Sequence, residues 1–311
     1  MRRLYTIENG LLVEKKRDFA PVIVYIAPDE TERRELIDRE QLDEHTLLSS
    51  LDPDEPARLE FEPEHAAMIF KRPCNHTIAP GEHSHLEFKV ASVGLFLFKD
   101  RLIAVQSQDM PIYPGGRPVH NREFSVREVL LRMLYRTIMH FLEHLKAINM
   151  MVDAIEKEIN QSSENRHLIS LFALGKSLVY YVNAINSNDA LLQKLRNNVA
   201  KIGFTPEEIE VLDDIIIENT QCGRQAQIYT NILAGMMDAR ASIVSNNLNV
   251  LMKTLTMITI CLQLPTLVVS IFSMNVVLPI SSSGNWAFWF VIALSAIALL
   301  CFMTVWRLRK W

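Results

Sequence analysis

Residues 255–272, LTMITICLQLPTLVVSIF, contain no charged side chain and decide the class of fold to which this chain belongs. A second run, residues 287–305, AFWFVIALSAIALLCFMTV, is apolar apart from Ser295 and Thr304. Each run approaches the roughly 20 residues that a helix needs to cross about 30 Å of hydrocarbon. We therefore predict two membrane-spanning helices near the C-terminal end of this 311-residue chain.

Basic residues set the expected orientation of the two spans. Lys253 precedes the first span, Arg307, Arg309 and Lys310 follow the second, and the connecting loop 276–286 carries no charge. Because basic flanks stay on the cytoplasmic side, both termini are expected in the cytoplasm. The N-terminus has no apolar stretch behind its arginines and does not resemble a signal peptide. We expect an integral protein of a prokaryotic plasma or inner membrane.

Composition argues against several function classes. The net charge is only −4 and no basic patch carries interleaved aromatic residues, so nucleic acid is not an expected partner. The four cysteines, two of them within the spans, form no disulfide framework. There is no phosphate-binding glycine loop, nucleophile elbow or HExxH helix, so we expect neither an enzyme nor an organic cofactor.

The region before the spans begins with mixed strand and helix signals. Two stretches are typical of strands (22–27 and 66–71), one of a charged helix (30–42), and one of a hairpin (93–106). This pattern predicts an α/β domain. A segment rich in Pro and Gly, residues 109–121, marks its end.

From there the pattern is helical. One helix is predicted from Ser125 to about Gln161 and a second from about Arg166 to Val199, because apolar residues recur at helical spacing. A third has a clear start, since Thr205 can act as N-cap, Pro206 suits the first helical position, and Glu208 can close a capping box.

No later break is visible before Pro265, inside the first span. A helix from Pro206 to Phe272 would extend about 100 Å. We expect such a rod to pack against copies of itself in a homo-oligomer.

One seam of this rod is polar. Alternating steps of three and four residues give a stripe in which all members but Met252 are polar: Asp238, Ser242, Ser245, Asn249, Met252, Thr256, Thr259, Gln263, Thr266, Ser270 and Ser273. A 3.5-residue period keeps such a seam facing a common axis. Hydroxyl and amide oxygens suit hydrated ions like Mg²⁺, which predicts a pore. In the alternative, Ser and Thr bond to their own backbone and only pack helices together.

The motif Ser273-Met274-Asn275 at the end of the first span resembles the Gly-Met-Asn signature of the CorA family of magnesium transporters. Residues 235–256 resemble the stalk-to-pore helix of that family and residues 51–73 its cytoplasmic domain. The resemblance implies an α+β fold with a cytoplasmic αβα domain, a long stalk helix and two transmembrane helices. It also implies a funnel-shaped homopentamer in contact with membrane lipids.

The resemblance implies a division of the chain into seven parts. They are a cytoplasmic α/β domain (1–120), a helical hairpin of that domain (121–204), the stalk helix (205–254), the pore-lining span (255–275), the external loop (276–286), the second span (287–306) and a basic tail (307–311).

Roles also follow from the resemblance. Ser273, Met274 and Asn275 match the selectivity filter, and Asp238, Asn249 and Thr266 match polar pore positions. The helical period alone assigns the other polar stripe residues to the pore lining. Met252 and Leu255 match an apolar gate that blocks ions when narrow. A basic collar corresponds to Lys253, Arg307, Arg309 and Lys310, with ordinary flanking charge as the alternative. Asp213 and Asp214 match a regulatory Mg²⁺ site, and a solvated helix face is the alternative.

The chain also departs from the family. Ser273 replaces the family Gly, which adds a hydroxyl and removes backbone freedom. The outer loop carries no acidic residue, and Gln263 stands where an apolar residue is common. A separate cluster, Cys74, His76, His83 and His85, has the residue types of a zinc site, but the spacing is a weak signal and a surface loop is the favoured interpretation.

The leading hypothesis from these patterns is a passive, gated channel for Mg²⁺, with Co²⁺ and Ni²⁺ as further candidate ions. A proton-coupled Zn²⁺ transporter of the same superfamily is one alternative. A non-conducting membrane-anchored sensor or scaffold is the other, and it leaves the polar stripe unexplained.

Overall fold

The computed structural model describes residues 1–8, 11–14, 20–74, 77–78, 86–110, 125–161, 165–274 and 285–309. These residues form two compact units, Met1–Met237 and Asp238–Trp311. The strands are β1 (Arg2–Glu8), β2 (Leu11–Glu14), β3 (Val22–Ile26), β4 (Arg58–Phe61), β5 (Ala66–Pro73), β6 (Thr77–Ile78), β7 (Leu86–Glu87), β8 (Val90–Leu97) and β9 (Leu102–Gln106). The helices are α1 (Glu30–Asp38), α2 (Glu44–Ser49), α3 (Val126–Gln161), α4 (Asn165–Asn197), α5 (Val199–Ile202), α6 (Pro206–Phe272) and α7 (Asn285–Arg309).

The first unit is built on a mixed sheet with the strand order β2-β1-β3-β9-β8-β5-β4. The neighbours β3 and β9 run parallel, and the other neighbouring pairs run antiparallel. The predicted hairpin is present as β8 and β9, with Leu97 paired to Leu102.

Helices cover both faces of this sheet. Along β3, Val22 and Val24 belong to the core shared with α3 and α4, whereas Ile23 and Tyr25 belong to the core shared with α1 and α2. This alternation follows from the two-residue period of a strand. The αβα layering expected for the N-terminal part is therefore confirmed.

The charged helix α1 is shorter than predicted, because it ends at Asp38 and not near Leu42. Gln41 has a positive φ of 56°, and its side-chain amide donates to the carbonyl of Asp38. The chain turns there and buries Leu42 against the sheet. Burial of this apolar side chain explains the early end of the helix.

The predicted start of the long helix is confirmed in detail. The backbone N–H of Glu208 donates to the Thr205 hydroxyl at 3.2 Å, and the Thr205 N–H donates to the Glu208 carboxylate at 2.9 Å. These two bonds form the capping box. Helix α6 then runs without interruption through its 67 residues to Phe272, as expected.

Three described helices are long and apolar enough to cross a membrane: α4, α6 and α7. In α4, 39% of the most apolar window is buried inside the chain, whereas none is buried in α6 or α7. Leu178 and Leu192 of α4 are fully buried and belong to the core beneath the sheet. The apolar side chains of α4 thus serve that core, which leaves α6 and α7 as the candidate spans.

Candidate functional site

The polar stripe lies along α6 in the second unit. Ser242, Ser245, Asn249, Thr256, Thr259, Gln263, Thr266 and Ser270 are all helical and all exposed in the single chain. Asp238 is also helical and exposed, and Ser273 follows the last residue of the helix. Every stripe residue up to Ser273 is thus uncovered by the chain itself.

Helix α7 packs on the other side of α6. The rings of Phe272 and Phe290 lie edge to face, with centroids 6.3 Å apart. Within the apolar run of α6, the half-buried side chains are Met257, Ile260, Cys261, Leu264, Pro265, Val268 and Phe272. At 100° per residue this face lies about 165° from the polar stripe. Most of the stripe within the span therefore points away from α7, although Thr256 also lines the groove between the two helices.

The threonines of the stripe bond to their own helix. The hydroxyls of Thr256, Thr259 and Thr266 each donate to the carbonyl four residues earlier, at 2.8 Å. Such bonds satisfy the hydroxyl hydrogen and leave the oxygen lone pairs facing outward. These oxygens are thus free to accept hydrogen bonds from the water around an ion, so backbone bonding and a pore lining are compatible here.

The residues matched to the gate are apolar and uncovered. Met252 is 61% exposed and Leu255 is 59% exposed in the single chain. Met252 interrupts the polar stripe, and Leu255 lies one residue before Thr256. Rings of such side chains in an oligomer would form a dry constriction.

The start of the filter motif closes the helix. The Ser273 N–H donates to the carbonyls of Val269 and Ser270, and its hydroxyl donates to the Ser270 carbonyl at 2.9 Å. Met274 is 59% exposed. Asn275 lies outside the described residues.

The basic collar is described only in part. Lys253 and Arg307 are exposed residues of α6 and α7. Arg309 is the last residue of α7, whereas its side chain and the whole of Lys310 lie outside the described part.

The two residues matched to a regulatory site differ in their surroundings. Both oxygens of Asp213 accept from Arg196 of α4, at 2.5 and 3.1 Å. Asp214 is exposed. A cation at Asp213 would compete with the Arg196 guanidinium, whereas Asp214 is open to a partner.

The Cys74 cluster is mostly beyond the described residues, which omit His76, His83 and His85. Cys74 itself is 5% exposed, and its burial raises the pKa of the thiol. Within the described ranges no three His, Cys, Asp or Glu side chains are grouped to hold a metal ion.

Two features of the folded chain had little or no signal in the local sequence. Ser125, before α3, donates to the capping residue Glu208 at 2.5 Å. The second feature is an apolar groove between α6 and α7, whose lining includes Lys253 and Trp306.

An αβα unit followed by two long apolar helices, the first with an uncovered polar seam, defines a class of membrane transport proteins. The chain belongs to the CorA-like Mg²⁺ transporter protein family, whose model matches residues 23–310.

Named relatives agree with this assignment. The cobalt/magnesium transport protein CorA of Methanocaldococcus jannaschii is 22% identical over 273 residues, covering 85% of this chain and 83% of that protein. The protein of the same name from Thermotoga maritima is 22% identical over 231 residues, covering 72% of this chain and 66% of its own length.

The fold agrees as well. The complete structure of the CorA magnesium transporter from M. jannaschii matches with a TM-score of 0.81 at 21% identity, covering 98% of this chain and 96% of that one. The expected membership of the CorA family is confirmed.

Proposed function

We propose that this chain is one subunit of a homopentameric, passive and gated channel that admits Mg²⁺, with Co²⁺ and Ni²⁺ as further substrates. The polar stripe of α6 carries this proposal, because it is long, uncovered and, except at Thr256, turned away from α7. A seam of this kind in a membrane needs water or polar neighbours. Five stripes around one axis provide both.

In this proposal, ions enter past Ser273, Met274 and Asn275 and travel along the oxygens of the stripe. Met252 and Leu255 form the gate, and the basic collar surrounds its cytoplasmic end. Both termini lie in the cytoplasm, and the domain divisions are those given from the sequence. The membrane potential drives uptake, favouring a divalent cation by about 4.6 kcal/mol per 100 mV.

Regulation is proposed to use Mg²⁺ at the cytoplasmic domains. Asp214 is exposed and Asp213 neighbours it, so a carboxylate from each subunit can share an ion with the next. An ion that binds the closed assembly better than the open one holds it closed. The alternative functions of Zn²⁺–proton exchange and scaffolding gain no support from the described residues.

The test is ion flux into proteoliposomes with a matched pair of variants. Thr266 lies on the stripe and Thr254 lies about 150° away from its centre. Both hydroxyls donate to the carbonyl four residues earlier, at 2.8 and 2.9 Å. Thr266→Val should lower Mg²⁺ flux severalfold, whereas Thr254→Val should leave it unchanged.

Equal effects of the two changes would reject the pore lining. Flux that follows a pH gradient and not the potential would favour proton coupling. An intact oligomer with no divalent flux under any condition would favour a scaffold.

A further inference from the structure

The cytoplasmic end of the α6–α7 hairpin, as the proposed function orients it, contains a groove of about 400 Å³. This volume falls in the usual range for ligand sites, about 300–1,000 Å³. Its walls are Thr256, Met257 and Ile260 from α6 and Phe302, Val305 and Trp306 from α7. Four of these six side chains are aliphatic or phenyl groups, so the walls suit a hydrocarbon chain.

The groove has one charged end. Lys253 lines it one helical turn before Met257. Its aliphatic stem can lie along the apolar wall while the ammonium group reaches the interface. Trp306 lines the same end, and an indole ring at this depth prefers the boundary between headgroups and acyl chains.

This positive charge has no acidic counterpart nearby in the sequence. Residues 239–311 contain no Asp or Glu, and they include Arg240, Lys253, Arg307, Arg309 and Lys310. Asp238 is the nearest acidic residue along α6, about 22 Å from Lys253 along the helix. No carboxylate of residues 239–311 competes for Lys253, so an anion from outside the chain can pair with it.

We propose that the groove binds an anionic phospholipid, with one acyl chain between α6 and α7 and the phosphate on Lys253. Basic pockets between membrane helices on the cytoplasmic side are known to select anionic headgroups. A free phosphate would leave the apolar walls unfilled, which is why a lipid fits the groove. The proposal rests on the membrane placement in the proposed function and not on ion conduction.

Native mass spectrometry of the full-length protein tests the proposal. The protein in detergent is given equal amounts of dioleoyl phosphatidylglycerol and dioleoyl phosphatidylcholine, and the retained lipids are counted. The parent should retain phosphatidylglycerol about fivefold over phosphatidylcholine, the preference expected for one lysine near the headgroup. Lys253→Gln should remove this preference, and Lys253→Arg should keep it.

A second pair of variants tests the apolar walls. Ile260→Trp fills the groove, and Ile297→Trp places the same ring at a 60% exposed position of α7 away from it. Ile260→Trp should lower the number of retained lipids relative to Ile297→Trp. Thermal unfolding of both variants shows that each is folded.

Two results would overturn the proposal. One is an unchanged lipid preference in Lys253→Gln, and the other is equal lipid retention in the two tryptophan variants. If Ile260→Trp changes the mass of the assembly while lipid retention stays intact, the groove is a contact between subunits. Lipid counting needs no flux, so a protein that binds phosphatidylglycerol and conducts no ion would refute the channel and leave the lipid site standing.

Discussion

The side-chain amide of Asn188 in α4 bonds both backbone groups of Lys71 in β5. The Lys71 N–H donates to Asn188 Oδ1, and Asn188 Nδ2 donates to the Lys71 carbonyl, each at 2.8 Å. Strand β4 pairs with β5 only from Ala66 to Ile69, so the sheet edge is open at Lys71. Asn188 supplies the bonds that a further strand residue would make, and it joins the helix to the sheet.

Loss of this pair of bonds should destabilise the first unit. Asn188→Ala leaves the N–H and carbonyl of a buried residue without their partner, and each such group costs about 1–3 kcal/mol. We expect the free energy of unfolding to fall by about 2–4 kcal/mol. Chemical unfolding of the full-length protein in micelles measures this change. Asn186→Ala, at an exposed position of the same helix, is the control and should change the free energy little.

The capping box of α6 should contribute to the free energy of unfolding, because Glu208 also binds Ser125 at the start of α3. Glu208 is 8% exposed and accepts hydrogen bonds from the Thr205 N–H and the Ser125 hydroxyl. We expect Glu208→Ala to lower the free energy of unfolding by about 1–3 kcal/mol, because the Thr205 N–H and the half-buried Ser125 hydroxyl lose their acceptor. Glu210→Ala, at an exposed position in the next turn, should have a much smaller effect. Equal losses would show that the capping box adds no stability.

A polar side chain in the proposed gate should make the channel leak. Met252 lies on the stripe, and a ring of thioether side chains can exclude water where it is narrow. We expect Met252→Thr to raise divalent flux under high Mg²⁺, where the parent is held closed. Flux is measured in proteoliposomes with Mg²⁺ on both sides. Val250→Thr, on the α7 side of α6, should conduct like the parent, and a leak in both variants would argue against a gate at Met252.

The free energy of unfolding should fall as the pH is lowered through the ordinary pKa of a histidine side chain, about 6.5. His65 is 7% exposed, stacks on Phe98 with centroids 4.7 Å apart, and has a pKa lowered by burial. A histidine with a pKa below its unfolded value, about 6.5, takes up its proton more readily in the unfolded state. Its contribution to stability is therefore full above this value and is lost as the pH falls toward the folded pKa.

The melting temperature of the full-length protein in micelles should thus drop by a few degrees between about pH 7.5 and about pH 5.5. His65→Phe should reduce this drop, since the ring remains and the titration is removed. His45→Phe replaces an exposed histidine and should keep the drop of the parent. If His65→Phe leaves the drop unchanged, another group causes the acid sensitivity.

Local patterns predicted the long helix well. The cap at Thr205 and the uninterrupted helical run gave both ends of α6, because capping and helix propensity depend on residues within a turn or two. The hairpin of β8 and β9 was also predicted, since a two-residue period and a charged turn are local signals. Helix α2 and strands β2 and β4 are short, and the longer strand β1 is only partly buried, so none of them has a strong local signal.

Local sequence patterns could not predict contacts between residues that are far apart in the chain. The parallel pairing of β3 with β9 and the bonds of Asn188 to Lys71 join residues far apart in the sequence. The apolar character of α4 also gave no means of telling a core helix from a span, because length and composition are alike in both. The burial of α4 against the sheet identifies it as a core helix.

The amino-acid sequence by itself determined that two apolar helices follow a long rod and that one seam of the rod is polar, because hydropathy and helical period are properties of neighbouring residues. Only the tertiary structure decided which side of α6 meets α7, and hence that the stripe is left uncovered and that a groove forms beside Lys253. Those outcomes depend on how side chains of separate helices pack, which no local pattern contains.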